Sequence, residues 1–114
     1  MSLLLSQCPR AVALLVLLAA GIAPAWAEEH RELVIRGHAF EPAELHVPAN
    51  TPVTLRIRNL DGQAEEFDSQ ALKVEKVISG SGEGIVRLRP LAPGRYSFVG
   101  EYHEKTAHGT IVAE

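Results

Sequence analysis

Sulfur is nearly missing from this sequence. Its 114 residues hold one cysteine, Cys8, and one methionine, the initiating Met1. Beyond residue 8 there is no thiol, so no disulfide and no Cys-ligated metal centre can form there. Soft ions such as Cu(I), which favour thiolate and thioether ligands, lose their usual donors. A surplus of basic charge is also lacking: 11 Lys and Arg stand against 14 Asp and Glu. That balance gives no footprint for nucleic acid. No Gly-rich phosphate loop precedes a helix, and no Ser–His–Asp pattern points to nucleophilic hydrolysis. A long apolar run with helical period is missing as well.

The one extended apolar run, 11–22, follows Arg10 and leads into Ala25-Trp26-Ala27. A positive start, a short apolar stretch and a small-x-small site read as a secretory signal peptide covering residues 1–27. The run falls short of the roughly 20 apolar residues a membrane span needs. Cys8 precedes the run, whereas a lipidated cysteine would follow it. The expected mature chain, residues 28–114, is then one small exported domain with no membrane span of its own. Arg10 is the only charge in the leader, so the eleven basic residues become ten while all fourteen acids stay, a formal net charge of −4. Small exported domains often depend on disulfides. This one must rely on its core, a metal or a partner.

The remainder reads as short strands between turn residues. Val53, Leu55 and Ile57 alternate with Thr54, Arg56 and Arg58, the period of a half-buried strand. Similar pieces occur at 33–35, 45–47, 66–68, within 72–78, and at 85–89, 96–99 and 110–112, separated by Pro48-Ala49-Asn50, Asp61-Gly62, Ser79-Gly80-Ser81-Gly82 and Pro93-Gly94. Seven or eight strands at this spacing predict an all-β antiparallel sandwich or barrel. The expected core is Phe40, Leu45, Val53, Leu55, Ile57, Phe67, Leu72, Ile85, Leu88, Tyr96, Phe98 and Ile111.

Within this frame, "YSFVGEYHEKTAHGTIV" (96–112) crowds two glutamates and two histidines into one loop. Glu101 and His103 are two apart, and on a strand end such residues point the same way. Glu66 and Asp68 share that spacing across Phe67, and Glu75 follows on the next element. Each group alone reads as ordinary solvated charge. Brought to one end of a sandwich, they would form a carboxylate–imidazole set suited to Fe, Mn, Cu(II) or Zn. The candidate metal ligands are therefore Glu66, Asp68, Glu75, Glu101 and His103, with His108 and His38 as further candidates.

The tail resembles the last hairpin of the cupredoxins, small copper-binding Greek-key β-sandwiches. Pro93-Gly94-Arg95-Tyr96-Ser97-Phe98 matches their aromatic strand, His103 their loop histidine and Gly109-Thr110-Ile111-Val112 their closing strand. "HAFEPAELHVPANTPVTLRIRNLDG" (38–62) resembles their opening. Gly100 stands where that family has its copper-binding cysteine, and Ala107 or His108 where it has methionine. Glu65-Glu66-Phe67-Asp68-Ser69 replaces the first histidine region. The usual blue-copper electron carrier is thereby excluded. Glu66–Ser69, Glu75–Ile78 and Glu101–Gly109 together are similar to a cysteine-free branch of cupredoxin-like periplasmic proteins of bacterial ferrous-iron uptake. That resemblance implies a periplasmic domain binding copper or iron beside an iron permease. The alternatives are a copper-dependent ferroxidase and a structural sandwich without metal.

Overall fold

The computed structural model describes residues 28–114. The expected leader, 1–27 with Cys8, lies outside the described residues. The chain forms β1 (Glu29–Ile35), β2 (Phe40–Glu41), β3 (Glu44–Val47), β4 (Val53–Asn59), β5 (Glu65–Ser69), β6 (Val74–Ile78), β7 (Glu83–Leu88), β8 (Gly94–Gly100), a 3₁₀ turn (Glu101–His103) and β9 (His108–Ala113). The strand not foreseen is β2, whose two residues are too few to show a period.

Two sheets face each other. One has the order β2-β1-β4-β7 and the other β3-β9-β8-β5-β6. The pairs β1–β4 and β3–β9 run parallel, so the sheets are mixed rather than antiparallel throughout. Partner choice made over long sequence distances lies outside what alternation can show. The parallel ladder also explains the length of β1. The whole strand, its charged first half included, pairs residue by residue with β4, from Glu29 opposite Val53 to Ile35 opposite Asn59.

The inner faces meet in one apolar core. Val53, Leu55 and Ile57 of β4 are buried against Leu33 and Ile35 of β1 and Phe67, Phe98 and Ile111 of the other sheet. Each such side chain contributes roughly 1.5–3 kcal/mol on burial. Phe40, Phe67 and Phe98 form an aromatic cluster, with ring centroids 4.9–6.0 Å apart. Phe40 stands edge-on to both other rings, at 88° and 85°, a favoured aromatic arrangement.

Two expected core residues are placed elsewhere. Ile85 is 40% exposed, because β7 turns Gly84, Val86 and Leu88 inward. Period two forbids Ile85 and Leu88 from sharing a face. Tyr96 is only half-buried, packed at the core margin, and its hydroxyl donates to the carbonyl of Ala92 at 2.8 Å.

Candidate metal centre

At one pole of the sandwich, Asn59 ends β4 fully buried. Its Nδ2 donates to the carbonyl of Gln63 at 2.8 Å, and its Oδ1 accepts from the backbone of Asp61 at 3.0 Å. The 60–63 loop is thereby fixed from inside. Asp61 in turn accepts from the backbone N–H groups of Gly37 and His38, at 2.8 and 2.9 Å. Those two bonds, from His38 first, hold its carboxyl below the usual aspartate range. His38 has a left-handed backbone, φ 57°, unusual for a residue with a side chain. Thr106 Oγ1 donates to its carbonyl from the other side. The result is an imidazole ring stacked on that of His103, with centroids 3.7 Å apart and planes 13° from parallel.

Behind His103 lies Glu65. Its side chain is 1% exposed, and its Oε2 accepts from His103 Nδ1 at 2.6 Å. Its Oε1 accepts from the backbone N–H groups of Tyr102 at 2.9 Å and Glu66 at 3.0 Å. Three donors around one buried carboxylate offset its desolvation. Among the described residues no buried side-chain polar atom lacks a partner. The other ring nitrogen, Nε2, faces away from Glu65 and lies 3.3 Å from Gln63 Oε1, which accepts a hydrogen bond there when Nε2 carries a proton.

The expected acids gather elsewhere, on the outer face of the five-stranded sheet. Asp68 is paired with Glu75 of β6 and with Val99 of β8, and Val99 with His108 of β9. Paired residues share a face, so Glu75, Asp68, Val99 and His108 form one row across four strands. Glu66, two residues along β5, shares that face and lies near Glu101. The Glu66 carboxyl is held above the usual range, by desolvation first, then by Glu101, with smaller effects from Glu75 and Asp68.

The structure therefore brings Glu66, Asp68, Glu75 and Glu101 together, with His108 on the same face, and places His103 and His38 at the pole. Glu101 and His103 do not point the same way as a strand end would require. They belong to a 3₁₀ turn, where successive residues are about 120° apart and positions i and i+2 diverge. Among the described residues no group of three or more His, Cys, Asp or Glu is already arranged to hold a metal ion. Sequence reasoning missed Glu65, Asp61 and Gln63. For Glu65 the signal was present: it lies two residues before buried Phe67 and so shares its inward face.

The fold is a small β-sandwich of two mixed sheets. The chain belongs to the cupredoxin-like domain family, whose model matches residues 10–113. It is 37% identical over 81 residues to an uncharacterized protein of Rickettsia prowazekii (strain Madrid E). That match covers 71% of this chain, and the chain spans 65% of the relative's length. Auracyanin A, a blue copper protein from Chloroflexus aurantiacus, superposes with a TM-score of 0.64 at 18% identity, over 77% of this chain and all of that one. The metal-binding domain of the Cu(I)-exporting ATPase CopA of Streptococcus pneumoniae, solved with Cu(I), gives 0.61 at 15% identity, over 76% of this chain and 86% of that one. At these identities the likeness concerns the fold.

The sulfur-bearing copper centre of such proteins does not fit this chain. At Gly100, the position the resemblance gives to the copper-binding cysteine, fully buried Ala107 packs alongside. A Cβ on Gly100 would lie 2.6 Å from Glu65 Cδ and 2.7 Å from Ala107 Cβ. The space a thiolate would need is filled by a carboxyl and a methyl group.

Proposed function

We propose that this domain binds a transition-metal ion, iron or copper, through oxygen-rich ligands, and serves a bacterial ferrous-iron import system in the periplasm beside an iron permease. The observation that carries the reading is the gathering of acids on one sheet face, Asp68 paired with Glu75 and Glu66 two residues along β5 near Glu101. Neighbouring carboxylates repel one another, and a cation held between them relieves that repulsion. Carboxylate ligands suit hard ions and favour the higher charge state, since greater positive charge gains more from anionic oxygen. The leader-like first 27 residues and the match of three sequence pieces to the iron-uptake branch support the location and the pathway.

Calorimetry of the purified protein with Fe(II) under anaerobic conditions, and with Mn(II), Zn(II) and Cu(II), tests the proposal. Glu101→Gln and Glu66→Gln are expected to weaken Fe(II) binding at least tenfold, that is by about 1.4 kcal/mol or more. Unchanged Fe(II) affinity in both variants removes the carboxylate site. The alternative reading is a copper-dependent ferroxidase acting at the same acidic face. Copper-dependent Fe(II) oxidation under air beyond one equivalent would select it over simple binding.

A further inference from the structure

Among the described residues, only His46 has a carboxylate at each ring nitrogen. Its Nδ1 lies 2.6 Å from Glu114 Oε1, and its Nε2 lies 3.1 Å from Glu44 Oε1. A neutral imidazole carries one N–H and one lone pair, so it can donate to only one of two acceptors. Both contacts hold together only in the imidazolium. We propose that His46 is a protonation-controlled clamp. Charged, it ties edge strand β3 to the residue that follows β9; neutral, it releases Glu44 and loosens that end of the sheet. The inference is independent of the metal-binding reading. It concerns the end of the sandwich opposite His103, since Arg95 stands at the start of β8 and Gly100 at its close.

The clamp sits where the sheet is least tied. β3 is an edge strand with one neighbour in its sheet, β9. His46 stands opposite Val112, and Val47 opposite Ala113. Leu45 and Val47 turn inward, which leaves Glu44 and His46 exposed on the outer face. The backbone of Glu114 is engaged on both sides. Its N–H donates to the carbonyl of Val47 and its carbonyl accepts from the N–H of Ala49, both at 3.1 Å. The Glu114 side chain then reaches back to His46. Side-chain and backbone contacts thus close around the same short segment, 46–49.

Four charged groups face this histidine. Glu44 comes from its own strand and Glu114 from beyond β9. Arg95 of β8 lies 3.0 Å from Glu44 Oε2. Arg31 of β1 donates through Nε to the His46 carbonyl at 3.1 Å, and its Nη1 pairs with Glu29. Only the two carboxylates touch the ring. Arg95, and His46 after it, hold the Glu44 carboxyl below the usual range. Glu44 therefore keeps an ion pair when the ring loses its proton, and it is the partner released. The hydrogen bond to Glu114 is the largest influence on the ring and raises its pKa from 6.5, against desolvation. A raised folded-state pKa makes the contribution complete below 6.5 and lost as pH rises through the folded value. Ring and carboxylates are exposed, so water screens the pairs and the effect is local.

The test uses the purified protein with no metal added. A histidine ¹⁵N NMR titration is expected to place the His46 midpoint above 6.5, with both ring nitrogens protonated below it. Across that midpoint the amides of Ala49 and Glu114 are expected to lose protection from hydrogen exchange beyond the intrinsic rise with pH. The amide of Asn59, bonded to the Gly82 carbonyl at the other end of the sandwich, is expected to follow the intrinsic rise alone. Glu114→Gln is expected to lower the His46 midpoint. His46→Gln is expected to abolish the step in Ala49 exchange. A His46 midpoint at or below 6.5 overturns the proposal. So does exchange of Ala49 and Glu114 that ignores the titration, an unchanged midpoint in Glu114→Gln, or a step that persists in His46→Gln.

Discussion

Gly100 and Glu65 share one space: the glycine lacks a side chain where the glutamate's carboxyl carbon would lie 2.6 Å from an added Cβ. The same contact leaves no room for a larger side chain at position 100, while the carboxylate is hydrogen-bonded to His103. It ties the position of Glu65 to the packing of β5 against β8.

Gly100→Ala is accordingly expected to destabilise the protein by about 1–3 kcal/mol, the usual cost of forcing extra atoms into a packed site. Glu65→Ala in the same chain should recover part of that loss, since the two residues are in contact and their effects are not additive. Urea midpoints of the two single variants and the double variant measure the coupling. Strict additivity would show that the contact does not limit the site.

Phe67→Ala is expected to cost about 3–5 kcal/mol. Phe67 is fully buried and packs against both Phe40 and Phe98. The cavity would open directly beneath Glu66 and Asp68, the residues on either side of it in β5. Denaturant unfolding checks the magnitude. A loss below about 1 kcal/mol, far under the range for such a truncation, would mean that the aromatic cluster collapses to fill the space.

Asp61 gives a dependence on pH. Its folded-state pKa is lowered from 3.8, through hydrogen bonds from the His38 and Gly37 backbones. A depressed carboxyl stabilises the fold above its unfolded pKa and loses that contribution as pH falls through the folded value. Asp61→Asn is therefore expected to be less stable than the native protein at neutral pH. The gap should close as pH drops below 3.8. Stability curves of the two proteins against pH read this out, and a constant gap would contradict it.

Glu66 has the opposite sign. Its folded-state pKa is raised from 4.5 by desolvation and by Glu101, Glu75 and Asp68. Its ionised form opposes folding, so the favourable contribution is present below its unfolded pKa and lost as pH rises through the folded value. Without metal, Glu66→Gln should raise the urea midpoint at neutral pH, and the advantage should shrink as pH falls toward 4.5. A lower midpoint at neutral pH would show that Glu66 is held by a favourable partner.

Much of this molecule was legible in the order of its residues. Alternation along β4 placed Val53, Leu55 and Ile57 inside, and alternation along β5 put Phe67 in the core with Glu66 and Asp68 together outside. The same rule applied two residues further would have turned Glu65 inward. Applied along β7, it would have separated Ile85 from Leu88. Those faces follow from covalent geometry, because successive side chains on an extended backbone leave on opposite sides.

Which strands lie beside one another was settled by the folded chain alone. Alternation is blind to partners, so it could not foresee that β1 runs parallel to β4, nor that β6, β5, β8 and β9 align Glu75, Asp68, Val99 and His108 in one row. Nor could it show that the backbone leaves the strand at Gly100 and tightens into a 3₁₀ turn, sending Glu101 to the sheet face and His103 to the pole. Sequence spacing fixes directions within one element; the meeting of groups far apart in the chain depends on how buried surfaces from both sheets pack.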